Sequence, residues 1–213
     1  EQKAADPTPA FPTSEQKADA LLGAYRKVVE AHGDSGAGWI ARFGEAGALL
    51  DKRDHEGAYA VYDKIYNSAL AKADIDVKAR AIEGKAFALE LKKDFDGALN
   101  LFRELENVDK GYADLAKYHQ ARMLLTKGDK DKAKELLLGL QKALELPTLD
   151  GPQSPHLRAL VDEQLRLIDP TLVKAKRAAG GPKGQLSPEE IEEIKKKLEE
   201  AAKQKEQGHG DGH

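Results

Sequence analysis

The chain has 213 residues, enough for one domain of ordinary size with some tail. Its 34 basic and 37 acidic side chains leave a formal net charge of -3, which excludes the strongly basic face that phosphate backbones require and with it nucleic acid as a partner. Cysteine is absent, so disulfides, thiolate chemistry and Cys-containing metal sites are excluded, while the 6% aromatic content and the dominance of Ala, Leu, Lys, Glu and Asp point to an all-α chain.

Residues 1–13 carry Pro7, Pro9 and Pro12, which forbid a continuous helix and favour an extended linker. From Ser14 to His32 the apolar positions Ala18, Leu21, Leu22, Tyr25, Val28 and Val29 recur at three- and four-residue steps, predicting a first helix with one buried face. Gly33 to Gly36 supplies turn residues and a cap before the next run.

From Trp39 onward the chain repeats itself. The clearest copies are HEGAYAVYDKIY, FDGALNLFRELE and KDKAKELLLGL, each after a short polar turn. Aligned on Ala58, Ala98 and Ala133, they place Tyr62, Phe102 and Leu137 four residues on, and Ile65, Leu105 and Leu140 seven residues on. Twelve residues upstream of those alanines lie Ala46, Ala86 and Ala121, each followed three residues later by Leu49, Leu89 and Leu124. Both helices of each pair therefore repeat. Small residues let two helices approach closely while large ones interdigitate beside the contact. The steps are 40 residues from Ala58 to Ala98 and 35 from Ala98 to Ala133, which predicts a longer first connection around Ala71 to Asp76.

Beyond the third unit, Pro147 to Pro155 reads as a loop. His156 to Ile168 then places Leu157, Leu160, Val161, Leu165 and Ile168 on one face, as in a helix that caps the open end of a repeat array. Residues 170–187, with the run GGPKG, read as a flexible linker. Ser187-Pro-Glu-Glu announces a charged amphipathic helix over 188–206, with a thin stripe of Ile191, Ile194 and Leu198 and with Glu192–Lys196 and Glu193–Lys197 pairs. That helix reads either as a docking helix or as a charge-stabilised tail, and residues 207–213 as disordered.

No catalytic constellation emerges. The six histidines, at 32, 55, 119, 156, 209 and 213, show no helical metal-ligand spacing, and His209, Asp211 and His213 would have to be ordered before gripping an ion. The run TKGDKDKAKE, with Asp129 and Asp131, lacks the alternation and distal Glu of a calcium loop and reads as a turn and helix start. GGPKG lacks the P-loop pattern, and no serine sits in a nucleophile elbow. Neither a metal, nor a cofactor, nor a small-molecule substrate is expected, and the chain is not expected to be an enzyme.

The three units, with KGDKDKAKELL closest to the pattern, resemble the tetratricopeptide repeat, with its hallmark Trp, Gly and Tyr positions mostly replaced. The fragments AYAVYDKIY, ARAIEGKAFALELKKDFDGALNLFREL and YADLAKYHQARMLLTKGDKDKAKELL extend the likeness. Through them, residues 14–168 resemble the soluble domain of the bacterial membrane-anchored ancillary Sec translocon subunit family. The implied fold is a tetratricopeptide-like right-handed α-solenoid of about three helix pairs with flanking helices, over residues 14–169. The implied role is a scaffold or co-chaperone on the periplasmic side of the bacterial inner membrane, binding proteins or peptides, with the cytoplasm as the alternative location. In that family a membrane helix precedes the repeats; the chain opens at Glu1, and an anchor outside these residues stays open, as does homo-oligomerisation through solenoid ends or the C-terminal helix.

In such a superhelix the first helix of each pair lines the concave groove. Three residues before Ala46, Ala86 and Ala121 stand Phe43, Glu83 and Tyr118; one residue after stand Gly47, Phe87 and Arg122; Arg80 lies six before Ala86. Phe43, Arg80, Glu83, Phe87, Tyr118 and Arg122 are therefore the candidate partner-binding residues, with the aromatic and Arg content of interface hot spots. The competing assignment is that the aromatics complete the core between units. Because Phe43 and Gly47 occupy positions where a carboxylate clamp needs Lys and Asn, capture of a C-terminal carboxylate is not expected.

Overall fold

The structure, a computed structural model, describes residues 11, 13–144, 147–148, 151–152, 154–173, 192, 195 and 196. The chain is all-helical, and among the described residues its helices are α1 (Ser14–His32), α2 (Gly36–Asp51), α3 (His55–Tyr66), α4 (Ala69–Ala73), α5 (Ile75–Leu91), α6 (Phe95–Glu106), α7 (Lys110–Lys127), α8 (Lys130–Leu144) and α9 (Pro155–Ile168). A two-residue antiparallel bridge, Pro147–Thr148 with Gly151–Pro152, follows α8, and a 3-10 turn, Pro170–Leu172, follows α9. No helix of the described residues is long and apolar enough to cross a membrane.

Packing divides the chain into two compact units, residues 1–141 and 142–213, with the division inside α8. Within the first, α1 packs on α2, α2 on α3, α3 on α5, α5 on α6 and α6 on α7, so that the long helices from α1 to α7 pack in chain order. The extra residues of the first repeat step form α4, capped by the Ser68 hydroxyl accepting from the Ala71 N–H at 3.1 Å. In the second unit, α9 starts at Pro155, buries Leu157, Val161 and Leu165 at four-residue steps, and packs against the 3-10 turn. Of the helix expected over 188–206, Glu192, Lys195 and Lys196 are described, and they are helical; its apolar stripe, most of 170–187 and the tail 207–213 lie outside the described residues, as does most of 1–13.

The repeat register is a packing register. Ala46, Ala86, Ala121, Ala58, Ala98 and Ala133 are all fully buried, and so are Ile65, Phe102, Leu105 and Leu137. One core cluster joins Ile82, Ala98, Phe102 and Met123 from α5, α6 and α7, and another joins Trp39, Tyr62, Ile65 and Ala81 from α2, α3 and α5. Burying each such large side chain contributes about 1.5–3 kcal/mol. The same spacing reaches back into α1: Ala18 and Leu22 are buried and Tyr25 follows them, standing 40 residues before Ala58, Tyr62 and Ile65. Helix α1 thus carries the second-helix pattern, and its packing on α2 matches that of α3 on α5 and α6 on α7.

The turns repeat as well. Arg53, Lys93 and Gly128 have φ of 61°, 65° and 90°, and each stands five residues before its buried alanine. After each comes an Asp whose N–H closes the preceding helix: Asp54 to the Leu49 carbonyl, Asp94 to Leu89 and Asp129 to Leu124, all at 2.9 Å. Asp54 and Asp94 then cap the next helix, accepting from the N–H of Gly57 and Gly97 at 2.9 Å. An ion pair marks each junction between successive pairs: Lys52 with Asp19, Lys92 with Glu56 and Lys127 with Asp96. Such exposed pairs add little stability and help to set register.

Candidate functional site

Helices α2, α5 and α7 hold the six expected binding residues, and the anchoring alanines fix which way each points. Phe43 is half-buried, with its ring centroid 6.2 Å from that of Tyr62 at an interplanar angle of 59°. Tyr62 in turn lies flat against the backbone of Gly84, where no Cβ could fit. Burial, and then the neighbouring Glu83 charge, push the Tyr62 hydroxyl above the usual tyrosine pKa. Glu83 faces α7, its Oε1 lying 3.6 Å from the Nε2 of His119.

His119 is the centre of the next contact group. Its ring stacks on Phe102 at 4.8 Å and 18°, with Phe87 edge-on at 5.2 Å and Tyr118 edge-on at 5.4 Å. The Arg122 Nη1 lies 2.8 Å from the His119 Nδ1. A guanidinium only donates, so Nδ1 accepts, and the proton of the neutral ring sits on Nε2, toward Glu83. Arg122 also pairs with Glu90, tying α7 to α5 a second time.

Phe43, Glu83, Phe87, Tyr118 and Arg122 therefore belong to one strip that crosses α2, α5 and α7, and the strip also takes in Tyr62, Glu90 and His119. Tyr118 is only 6% exposed, and the rings of Phe43 and Phe87 pack partly into the core. Arg80 is exposed and packs into none of these ring contacts; its charge and that of Glu83 both act on Tyr112, whose hydroxyl donates to Asp76 at 2.6 Å. The exposed element of the strip is on α2, where Ile40 is 74% exposed one turn before Phe43 and where a side chain on Gly47 would meet nothing.

Tyr62, Glu90 and His119 were not among the expected site residues. The signal for His119 is the position two before each anchoring alanine, which reads Gly44, Gly84 and His119. Tyr25 lies against Gly44 as Tyr62 lies against Gly84, while the flat His119 ring receives Phe102. Neither glycine nor histidine belongs to the large apolar set whose spacing defines the repeat.

Beside the strip, Lys85 is buried and donates to Asp63 Oδ1 at 2.6 Å, with the Tyr66 ring 4.5 Å from its Nζ. A separate cleft of about 580 Å³ is lined by Asp34, Trp39, Lys64, Asn67, Ser68 and Leu70. Among the described residues no group of three or more His, Asp or Glu is placed to hold a metal ion; His209, Asp211 and His213 lie outside them. Compared with protein-family models, curated proteins and solved structures, the chain matches none.

Proposed function

We propose that the chain is a protein-binding scaffold, a tetratricopeptide-like right-handed solenoid whose helices α2, α5 and α7 line the concave face. The observation that carries this reading is the α2 face, where Ile40 is 74% exposed beside half-exposed Phe43 and open Gly47. A glycine inside a helix costs about 1 kcal/mol relative to alanine, and here no neighbour among the described residues requires it. A bound segment approaching closely over Gly47 supplies the reason. The role assigned is a scaffold or co-chaperone of the bacterial envelope, on the periplasmic side of the inner membrane, and the likeness to the ancillary Sec translocon subunit family is what supports that location.

A photo-crosslinking residue placed at Ile40 or Arg80, outside the packed core, tests the reading. Discrete crosslinks from both positions in cells, and none from exposed Asn100 on α6, are the expected result. Equal labelling from all three positions overturns it. A second reading, self-association, is favoured by Leu167, which is 75% exposed on α9. Light scattering separates the two: a mass that rises with concentration and returns to that of the single chain in Leu167→Glu supports assembly.

A further inference from the structure

We propose that Glu83, the Tyr62 hydroxyl and the exposed flank of Phe43 form a recess for an arginine side chain of a bound protein segment, a reading that rests on the protein-binding function above. Several polar groups in and beside the strip are already held by neighbours. Arg122 is held by Glu90 and His119, and Lys85 by Asp63. Glu83 differs, since its carboxylate makes no hydrogen bond among the described residues and His119 Nε2 stands 3.6 Å from its Oε1. Its side chain is 28% exposed, so the carboxylate is reachable from solvent.

Tyr62 supplies the second, independent observation. The residue is 8% exposed, yet its hydroxyl makes no hydrogen bond among the described residues. The ring rests on Gly84 with Phe43 beside it, which fixes the place of the phenolic oxygen while its O–H can still rotate, and Glu83 is a charge that acts on it. Among the described residues the one buried side-chain polar atom without a partner is His55 Nδ1, so the Tyr62 hydroxyl, like the Glu83 carboxylate, is reached by solvent and can exchange water for the N–H groups of a ligand.

The complement is a planar cation rich in N–H groups. A guanidinium places two N–H on the carboxylate and a third on the tyrosine oxygen, while its face lies on an aromatic ring such as Phe43. An acidic side chain is excluded by like charge. The residues flanking that arginine in the segment would meet Ile40, one turn before Phe43, and the open backbone at Gly47.

The test is a titration of the full chain, followed by amide NMR, with three acetylated and amidated tripeptides: Leu-Arg-Leu, Leu-citrulline-Leu and Leu-Glu-Leu. Citrulline keeps the shape of arginine without its charge. The expected result is that the arginine peptide binds about tenfold more tightly than the citrulline peptide, with shifts at Phe43, Tyr62 and Glu83. Glu83→Gln should bring the two to the same affinity, and Tyr62→Phe should weaken the arginine peptide about threefold without unfolding the chain, since Phe102 fills the same register position in the next unit. Equal binding of arginine and citrulline peptides by the unaltered chain overturns the arginine recess and leaves the protein-binding face standing. Absence of binding by all three also overturns the recess, while the crosslinks from Ile40 and Arg80 judge the face independently.

Discussion

The ring of Tyr62 rests on the backbone of Gly84 so closely that a methyl group there would fall well inside 3.0 Å of Cε1, Cζ and Cδ1 at once. This contact joins α3 to α5, the step from one helix pair to the next. Gly84→Ala should therefore destabilise the chain by about 2–3 kcal/mol, because a ring held by Phe43 and by its own burial cannot move aside. Tyr62→Leu in the same chain should recover part of the loss, Leu137 being the natural occupant of that register in the third unit. Urea unfolding of the two single variants and the double variant measures the coupling; strictly additive losses would show that the ring and the glycine do not oppose each other.

Arg53 and Lys93 occupy the left-handed turn position that Gly128 occupies in the third unit. Lys93→Gly should stabilise the chain by about 0.5–1 kcal/mol, because relief of the positive φ outweighs the greater freedom of glycine in the unfolded chain. Thermal unfolding checks it: a lower midpoint in Lys93→Gly contradicts this account of the turn.

The pair formed by Lys85 and Asp63 is asymmetric, with side chains 8% and 42% exposed. Asp63→Ala leaves a buried ammonium facing the rings of Tyr66 and Tyr59, and should cost about 1–2 kcal/mol, discounted for the exposure of the carboxylate. Lys85→Met leaves an exposed carboxylate and should cost less. Denaturation midpoints that rank the two in the opposite order would contradict the assigned burial.

The Tyr112 hydroxyl donates to Asp76, and that hydrogen bond, with burial and the Asp76 charge, pushes its pKa from 10.0 up to about 12. The folded state thus holds the phenolic proton more tightly than the unfolded state. Its stabilising contribution is complete below pH 10.0 and is lost as pH rises to about 12. Near-ultraviolet absorbance of tyrosinate should show Tyr112 titrating late in the native chain, alongside the raised Tyr62 and Tyr66, and Tyr112→Phe should reduce the late-titrating amplitude by one group. An unchanged titration in the variant would assign the shift to another tyrosine.

Much of this architecture is legible before folding. The spacing of Ala58, Tyr62 and Ile65, repeated at Ala98 and Ala133, placed both helices of each pair, because a helix face must present the same register wherever it meets the same neighbour. The pattern in α1 was present too, at Ala18, Leu22 and Tyr25, but without a recognisable polar turn before it the helix read as a separate element. Of the candidate site, Phe43, Glu83, Phe87, Tyr118 and Arg122 came from that register alone. Tyr62 reads only as core in the sequence, and His119 and Glu90 do not stand out, because their roles depend on contacts between residues 17 or more apart in the chain.

By itself, then, the sequence determined the helices, their caps and turns and the alternation of small and large residues, since these follow from interactions within a few residues. Only the tertiary structure decided which polar groups find partners. Arg122 is held by Glu90 and His119, whereas Glu83 and the Tyr62 hydroxyl reach no hydrogen-bond partner among the described residues. That difference is one of ångströms between side chains on separate helices, and periodicity along a chain carries no information at that scale.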